Sequence, residues 1–275
     1  MIAMRAVALG QHAHGRAGIV VETGAAVTHL KPGDRVALSP AAACINAIGE
    51  REWTTSAQNC WCFSADISWA QAAAVSSAHA TAWRLLVSLA RLQPGDIVLL
   101  TGLGDAVAVA ALQIAMQMGT HVIAASDNAN HLTAAQALGA AYAIDWSKAD
   151  LPKEVRGVTA KHGADVAINF AGGDSWSQTL ACLARGGRLA TAGALNGAQP
   201  QTDLRRIFWN HLQIFGAAHG SHRDFEQVWR WLESTGVRPL IDRVVPFDQE
   251  KAAQQRFQSG AAFGSVVVSD ESCAS

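Results

Sequence analysis

Two patterns of apolar residues divide the chain. From about residue 95 onward, short runs rich in Val, Ile, Leu and Ala alternate with segments of helix length. Most of these runs are apolar at consecutive positions, which is typical of strands buried on both faces of a parallel sheet. Before residue 65 the runs are shorter and are separated by turns such as K-P-G-D at 31–34, which predicts a small β-rich module.

The alternating half predicts an α/β fold with a Rossmann-type, doubly wound parallel sheet. Its six strands are expected at 97–101, 121–125, 142–144, 166–169, 188–192 and 213–217. Its helices are expected at 106–118, 129–138, 175–184 and 223–234, with another beginning near Pro152. The stretch 69–90 is predicted to be a joining helix, and the strand-rich segment 243–268 is predicted to complete the first module. Residues 41–65 show no period and are predicted to be an irregular loop.

Composition narrows the class of protein. The chain has 275 residues, a net charge of −1, 50% hydrophobic residues and 16% charged residues, which indicates a compact globular protein. The sequence lacks the clusters of Lys and Arg that nucleic-acid binding requires, and it also lacks an uncharged apolar span long enough to cross a membrane. We therefore expect a small-molecule partner. The five cysteines are odd in number and scattered, which favours reduced thiols and a cytoplasmic location.

Seven ordered runs carry a family resemblance. They are A-G-I-V-V-E-T-G at 17–24, K-P-G-D-R-V at 31–36, T-A-W at 81–83, L-Q-P-G-D at 92–96, A-L-G-A at 137–140, G-G-R at 186–188 and F-G-S-V-V at 263–267. Together they resemble the medium-chain dehydrogenase/reductase family, in its zinc-independent, quinone-oxidoreductase-like branch. The resemblance implies a chaperonin-10-like catalytic domain at 1–75 and 240–275 and a Rossmann dinucleotide-binding domain at 76–239.

The same resemblance implies a nicotinamide cofactor and hydride transfer to a small enone, quinone or carbonyl compound. It also implies a homodimer, which the apolar last strand at 213–217 supports because an unpaired apolar sheet edge needs a partner. The family ordinarily has several tens of residues between the first strand and His14 that form one wall of the cleft. Here that segment is almost missing, so the catalytic domain is expected to be small and truncated.

The nucleotide loop is expected directly after the strand at 97–101. Its candidate cofactor-binding residues are Gly102, Leu103, Gly104, Asp105, Ala106 and Val107. The position between strand and helix suits a phosphate-binding turn, but Asp105 and Ala106 stand where glycines let the backbone approach a pyrophosphate. A carboxylate there costs about 1 kcal/mol even at the dielectric constant of water. The alternative is a Rossmann turn that has lost its ligand.

Six further residues, outside the nucleotide loop, are candidate cofactor contacts. The family's NAD-specific members have a carboxylate at the end of the second strand, where this chain has Ser126 followed by Asp127. Ser126 leaves room for a 2′-phosphate, which favours NADP(H) over NAD(H). No Lys or Arg follows before Lys148, which leaves NAD(H) open, and Asp127 is alternatively a helix cap or turn residue. The resemblance assigns the nicotinamide carboxamide to the backbone at Gly193, Ala194, Phe263 and Gly264.

Zinc is not expected. Of the ligands used by the zinc-dependent branch only His14 remains, since Gly15 follows it and Ser77 stands at the later ligand position. The cysteines Cys44, Cys60 and Cys62 lack the spacing of a four-cysteine zinc lobe. Candidate catalytic residues are His79 and Thr81, with a plain role at the start of the joining helix as the alternative.

Two other classes of function remain open. The chain is alternatively a non-catalytic relative that acts as a dimeric binding or scaffold protein, because the cleft wall, metal ligands and loop glycines are altered. A lyase or isomerase that reuses the cleft without net redox chemistry is the third interpretation.

Overall fold

The structure is a computed structural model that describes residues 1–9, 15–40, 46–47, 52–194 and 196–269. The chain divides into two compact units. The β-rich unit comprises Met1–Ala80 and His219–Ser275, and the Rossmann unit comprises Thr81–Ala218.

The described strands, in chain order, are β1 (Ile2–Leu9), β2 (Arg16–Thr23), β3 (Arg35–Leu38), β4 (Asn46–Ala47), β5 (Glu52–Thr55), β6 (Cys60–Cys62), β7 (Ile97–Thr101), β8 (His121–Ser126), β9 (Tyr142–Asp145), β10 (Ala164–Asn169), β11 (Leu183–Thr191), β12 (Gln213–Gly216), β13 (Ile241–Val245) and β14 (Ser265–Ser269). The first six and the last two belong to the β-rich unit.

The described α-helices are α1 (Trp69–Ala74), α2 (Ala80–Trp83), α3 (Ala106–Gln117), α4 (Ala129–Ala137), α5 (Leu151–Val158), α6 (Gly173–Cys182), α7 (Leu204–Trp209), α8 (His222–Thr235) and α9 (Glu250–Gln258). The joining helix is continuous through α1, a π-helical turn (Val75–His79), α2 and a second π-helical turn (Arg84–Leu89). In the described part of the chain, no helix has the length and apolar character needed to cross a membrane.

The Rossmann unit contains a six-stranded parallel sheet in the order β12-β11-β10-β7-β8-β9. The predicted α/β class and Rossmann-type sheet are therefore confirmed. The predicted strand at 188–192 begins earlier, at Leu183, because this residue pairs with Ala164 at the start of β10. The preceding helix consequently ends at Cys182 rather than at 184.

The β-rich unit is built on an eight-stranded sheet whose main path is β13-β14-β1-β2-β3-β6. The prediction of an irregular loop at 41–65 is wrong for the described residues. Trp53 of β5 pairs with Met4 of β1, and Trp61 of β6 pairs with Ala37 of β3. These strands are short and their partners are distant in sequence, so the local pattern carried no visible period.

An aromatic core places α8 in the β-rich unit. Trp229 is fully buried and stacks on Trp61 and Phe63, with ring centroids 6.4 and 5.9 Å apart. The guanidinium of Arg35 lies 4.3 Å from the ring centroid of Trp69, on the same core. Because α8 packs here, the compact units divide the chain at 80 and 219 instead of the expected 75 and 240.

Candidate dinucleotide-binding site

The carboxyl ends of the parallel strands bring several loops to one edge of the Rossmann sheet. The strand order reverses between β7 and β10, which is where ligands bind in open α/β sheets. A Cβ built on Gly102, after β7, would lie 3.2 Å from the Cβ of Phe170, after β10. A Cβ on Gly193, after β11, would lie 2.8 Å from the carbonyl oxygen of Phe170. The loops after β7, β10 and β11 therefore pack side by side, and the buried Phe170 lies in the middle one.

The first loop is formed by six residues predicted to contact the cofactor: Gly102, Leu103, Gly104, Asp105, Ala106 and Val107. Gly102 and Gly104 have φ angles of +77° and +112°, which other residues rarely adopt. Asp105 is the N-cap of α3, because the Val107 N–H donates to its Oδ1 at 2.7 Å. The carboxylate is thus bound to its own helix, at an N–H that an anionic ligand at this helix start would use.

The second loop contains Ser126 and Asp127. Ser126 is buried and its Oγ accepts a hydrogen bond from the Asn128 N–H at 3.1 Å, whereas Asp127 is exposed. The cap of α4 is Asn128, since the Asn130 N–H donates to its Oδ1 at 3.0 Å. The alternative of Asp127 as helix cap is therefore wrong. Buried His131 lies next to this cap, with its Nε2 3.3 Å from the side-chain Nδ2 of Asn128.

The third loop follows β11 and contains Gly193 and Ala194. Both residues are exposed, and the Thr191 hydroxyl donates to the Gly193 carbonyl at 3.2 Å. The backbone of Gly193 approaches Phe170 so closely that a side chain at this position would require the loop to move. The structure thus presents exposed backbone at the edge of the sheet where the sequence predicts a carboxamide contact.

A fourth loop, after β10, is bonded to the third and was missed by the sequence prediction. The Gly173 N–H donates to the Gly197 carbonyl at 3.0 Å, and the Asn196 N–H donates to the Ala171 carbonyl at 2.6 Å. Gly172 has φ +66° and ψ −149° and begins α6. The double glycine directly after a predicted strand was the signal that could have found this loop.

The predicted catalytic residues lie within the joining helix. His79 ends the first π-helical turn in the β-rich unit, and Thr81 is the first residue of the Rossmann unit. Both side chains are buried. The helix begins at Trp69, where Ser68 forms a capping box, so the alternative of a helix-start role is wrong for both residues. Their catalytic role stays a prediction, on a helix widened by π-helical turns of the kind often found at functional sites.

The segment at Phe263 and Gly264 is held firmly within the β-rich unit. The Phe263 N–H donates to Asp242 Oδ1 at 3.0 Å, and Arg256 makes two hydrogen bonds to the same carboxylate, at 2.9 and 3.0 Å. Burial by itself raises the pKa of Asp242, but the bonds from Arg256 and Phe263 and the Arg256 charge bring it below its usual range. Gly264 has φ +112° and a Cβ there would lie 2.7 Å from the Leu240 carbonyl oxygen. The assignment of this segment to the carboxamide stays a prediction.

The described residues do not fit a zinc site. A Cβ on Gly15 would lie 2.1 Å from the Ala73 carbonyl oxygen, so no glutamate fits after the histidine position, and His14 itself lies outside the described residues. Within the described ranges no group of three His, Cys, Asp or Glu side chains could hold a metal.

The thiols give no support to a four-cysteine lobe either. Cys60, Cys62 and Cys182 are in the thiol form, and Cys44 and Cys273 lie outside the described residues. Cys182 lies in the core, and this burial raises the pKa of its thiol to about 12. A thiol that resists ionisation is a poor metal ligand.

Comparisons with known proteins find similarity to dehydrogenases and oxidoreductases. A family profile described as zinc-binding dehydrogenase matches residues 106–234. The chain is 33% identical to a quinone oxidoreductase-like protein 2 homolog of Nematostella vectensis, over 74% of this chain and 55% of that protein. It is 30% identical to a NAD-dependent alcohol dehydrogenase of Sulfolobus acidocaldarius, over 68% of this chain and 54% of that protein.

A solved structure of a NAD-dependent alcohol dehydrogenase superposes with a TM-score of 0.88 at 25% identity, covering 98% of this chain and 91% of that one. The chain belongs to the medium-chain dehydrogenase/reductase family. It spans about half the length of the curated relatives it matches in sequence.

Proposed function

We propose that the protein is an NADP(H)-dependent oxidoreductase that transfers hydride to a small enone, quinone or carbonyl compound without zinc. The observation that carries the proposal is the set of loops at the carboxyl edge of the sheet, with left-handed glycines after β7, a serine at the end of β8 and exposed backbone after β11. This arrangement matches what a dinucleotide needs at the strand-order reversal. Quinone oxidoreductase-like and alcohol dehydrogenase relatives support the reaction class.

Different loops of the Rossmann unit would bind different parts of the cofactor. Gly102 and Gly104 let backbone approach the pyrophosphate at the start of α3, where the helix dipole favours an anion. Gly193 and Ala194 offer backbone groups to the nicotinamide carboxamide. The cofactor supplies the hydride, so the protein has to orient the acceptor and exclude water, and no metal is needed for that task. We propose that Thr81 contributes a hydroxyl near the acceptor, with His79 as a second candidate.

The preference for NADP(H) rests on Ser126. A carboxylate at the end of β8 would bind both ribose hydroxyls and repel a 2′-phosphate, whereas the serine side chain is small and neutral. Its hydroxyl oxygen already accepts from the Asn128 N–H, which orders the loop. One relative is named a NAD-dependent alcohol dehydrogenase, so each binding test includes NAD(H) as the competing cofactor.

Titration of the purified protein with NADPH and with NADH, followed by nicotinamide fluorescence, tests this proposal. We expect saturable binding of both with tighter binding of NADPH, and oxidation of NADPH when a small quinone or enone is added. Elemental analysis after dialysis is expected to find no stoichiometric zinc. Absence of nicotinamide binding would overturn the proposal, and one retained zinc per chain would overturn its zinc-independent part.

We also propose a homodimer with a cytoplasmic location. The strand β12 lies at the edge of the sheet, and α7 beside it in sequence exposes 67% of Leu204, 56% of Phe208 and 68% of Trp209. Such an apolar edge is stabilised when a second copy covers it. Light scattering after size-exclusion chromatography should give about twice the 28.9 kDa of one chain. A single-chain mass at micromolar concentration would contradict the dimer.

The second candidate is a non-catalytic relative, and Asp105 favours it. Its carboxylate occupies the Val107 N–H at the helix start that a pyrophosphate would approach. NADPH binding without turnover, or no binding, would support this candidate. Turnover of a carbonyl compound without NADPH oxidation would instead indicate a lyase or isomerase.

A further inference from the structure

A buried amide connects strand β10 to the loop that follows it. Asn169 is the last residue of β10 and is fully buried. Its Oδ1 accepts from the Gly172 N–H at 2.8 Å, and its Nδ2 donates to the hydroxyls of Ser175 at 3.1 Å and Thr179 at 2.8 Å. One side chain thereby ties the end of the strand to the start of α6 and to the second turn of the same helix.

The hydroxyl protons fix the orientation of this amide. The Ser175 hydroxyl donates to the Gly172 carbonyl at 2.6 Å, and the Thr179 hydroxyl donates to the Ser175 carbonyl at 2.7 Å. Both hydroxyl oxygens therefore face Asn169 as acceptors, and only a donor fits opposite them. A carboxylate of the same shape would place negative oxygen against two oxygens whose protons are already used.

Gly172, which Asn169 holds in place, packs against the loop after β11. Its φ of +66° and ψ of −149° are accessible to glycine and strained for other residues. A Cβ on Gly172 would lie 2.4 Å from the Gly197 carbonyl oxygen and 3.2 Å from the Cα of Ala194. The neighbouring Gly173 N–H donates to the same Gly197 carbonyl. The backbone at Ala194 therefore packs directly against Gly172, with no room for a side chain between them.

We propose that Asn169 is a positioning residue that sets the loop at Gly193 and Ala194 for the nicotinamide end of the cofactor. The inference rests on the proposed function, because it assumes that this loop contacts the nicotinamide. Asn169 acts through Gly172 and does not itself touch the cofactor. On the proposed function, the adenosine end is bound by the loops after β7 and β8, whereas the hydrogen bonds of Asn169 run to Gly172, Ser175 and Thr179.

The test compares two serines of α6 in the full-length protein. Ser175→Ala removes one acceptor of Asn169 and the bond to Gly172, whereas Ser177→Ala removes a bond to the Asp174 carbonyl on the exposed face of the same helix. Each variant is titrated with NADPH and with 2′-phospho-ADP-ribose, which lacks the nicotinamide. Asn169→Asp is the stronger variant, and circular dichroism checks its folding.

For Ser175→Ala we expect NADPH binding to weaken by about three- to tenfold, which is the loss of about one hydrogen bond. Binding of 2′-phospho-ADP-ribose should stay within about twofold of the parent, and Ser177→Ala should match the parent with both probes. Equal weakening of both probes, or no weakening by Ser175→Ala, would overturn the inference even if Asn169→Asp fails to fold. If the parent binds neither probe, the proposed function fails instead.

Discussion

Two parts of the carboxyl edge of the Rossmann sheet are ordered by different means. The turn after β7 is held by the Asp105 carboxylate, which accepts from the Val107 N–H at 2.7 Å, and by a longer backbone bond from the Asp105 N–H to the Gly102 carbonyl at 3.3 Å. The loops after β10 and β11 are closed by neutral groups, which are the buried Asn169 amide and the backbone bonds between Gly173 and Gly197. The first closure involves a partly exposed side chain, and the second depends on the fully buried Asn169 side chain.

The turn after β7 can therefore be altered with less damage to the fold than the loops after β10 and β11. Asp105 caps α3, so a substitution that deletes its side chain removes the cap on the Val107 N–H and leaves the Asn169 bonds of the other loops in place. The paired loops cannot separate without exposing or unpairing buried polar groups, which is expensive. We therefore expect changes in the first turn to act most strongly on ligand affinity, and changes in the paired loops to lower stability as well as affinity for the nicotinamide end of the cofactor.

The largest expected effect is on the stability of the paired loops. Gly172→Ala should lower the free energy of unfolding by about 2–5 kcal/mol, because the φ is unfavourable and the Cβ meets the Gly197 carbonyl at 2.4 Å. Gly186→Ala is the matched control, since Gly186 also has a positive φ, +77°, but a Cβ there meets nothing within 4 Å. Urea unfolding measures both. Equal losses in the two variants would show that loop contact contributes nothing.

Removal of the Asp105 carboxylate should raise the affinity for NADPH while lowering stability. Asp105→Gly should tighten NADPH binding by roughly three- to thirtyfold, because it removes a carboxylate from the helix start. The same variant should lose about 0.5–2 kcal/mol of stability, because the cap on the Val107 N–H disappears. Fluorescence titration and urea unfolding measure the two quantities.

Asp105→Asn separates the two effects, because asparagine caps helices as well as aspartate but carries no charge. It should tighten NADPH binding while leaving stability near that of the parent. Unchanged or weaker binding in both variants would mean that the carboxylate does not oppose the pyrophosphate.

A smaller effect is expected where one of several neutral bonds is removed. Thr179→Val keeps the side-chain shape but removes the acceptor of the Asn169 Nδ2, and should lower the free energy of unfolding by about 1–2 kcal/mol. Thr179→Ser, which keeps the hydroxyl, should recover most of that loss. Thermal unfolding of both variants tests this, and identical melting temperatures would contradict the role given to the hydroxyl.

The smallest effect concerns cofactor choice at the loop after β8. Ser126→Asp places a carboxylate at the end of this strand, where it should repel a 2′-phosphate and bind ribose hydroxyls. We expect the ratio of NADPH to NADH affinity to fall by about fivefold, which corresponds to about 1 kcal/mol. Asp127→Asn, at the exposed neighbour, is the control that should leave the ratio unchanged. If Ser126→Asp leaves the ratio of NADPH to NADH affinity unaltered, the 2′ position of the cofactor's adenosine ribose does not lie beside residue 126.

Much of the Rossmann unit was predictable because its signals are local. Strand β7 was predicted with its observed bounds of 97–101, and the helix that follows begins at Ala106 as predicted. Consecutive apolar residues and a glycine after each helix identify such elements without knowledge of their partners. By contrast, β5 and β6 escaped prediction, because short strands are stabilised by the distant strands with which they pair.

The fold class, the family and the position of the turn after β7 could be predicted from the amino-acid order alone, since these depend on periodicity and on the order of short runs. Three features became visible only in the folded chain: Asp105 caps its own helix, Asn128 rather than Asp127 caps α4, and α8 packs in the β-rich unit. It also revealed the Asn169 bonds to Ser175 and Thr179. The physical reason is that a side chain's role depends on which donors and acceptors face it, and these are set by the packing of elements whose contacts the linear pattern does not contain.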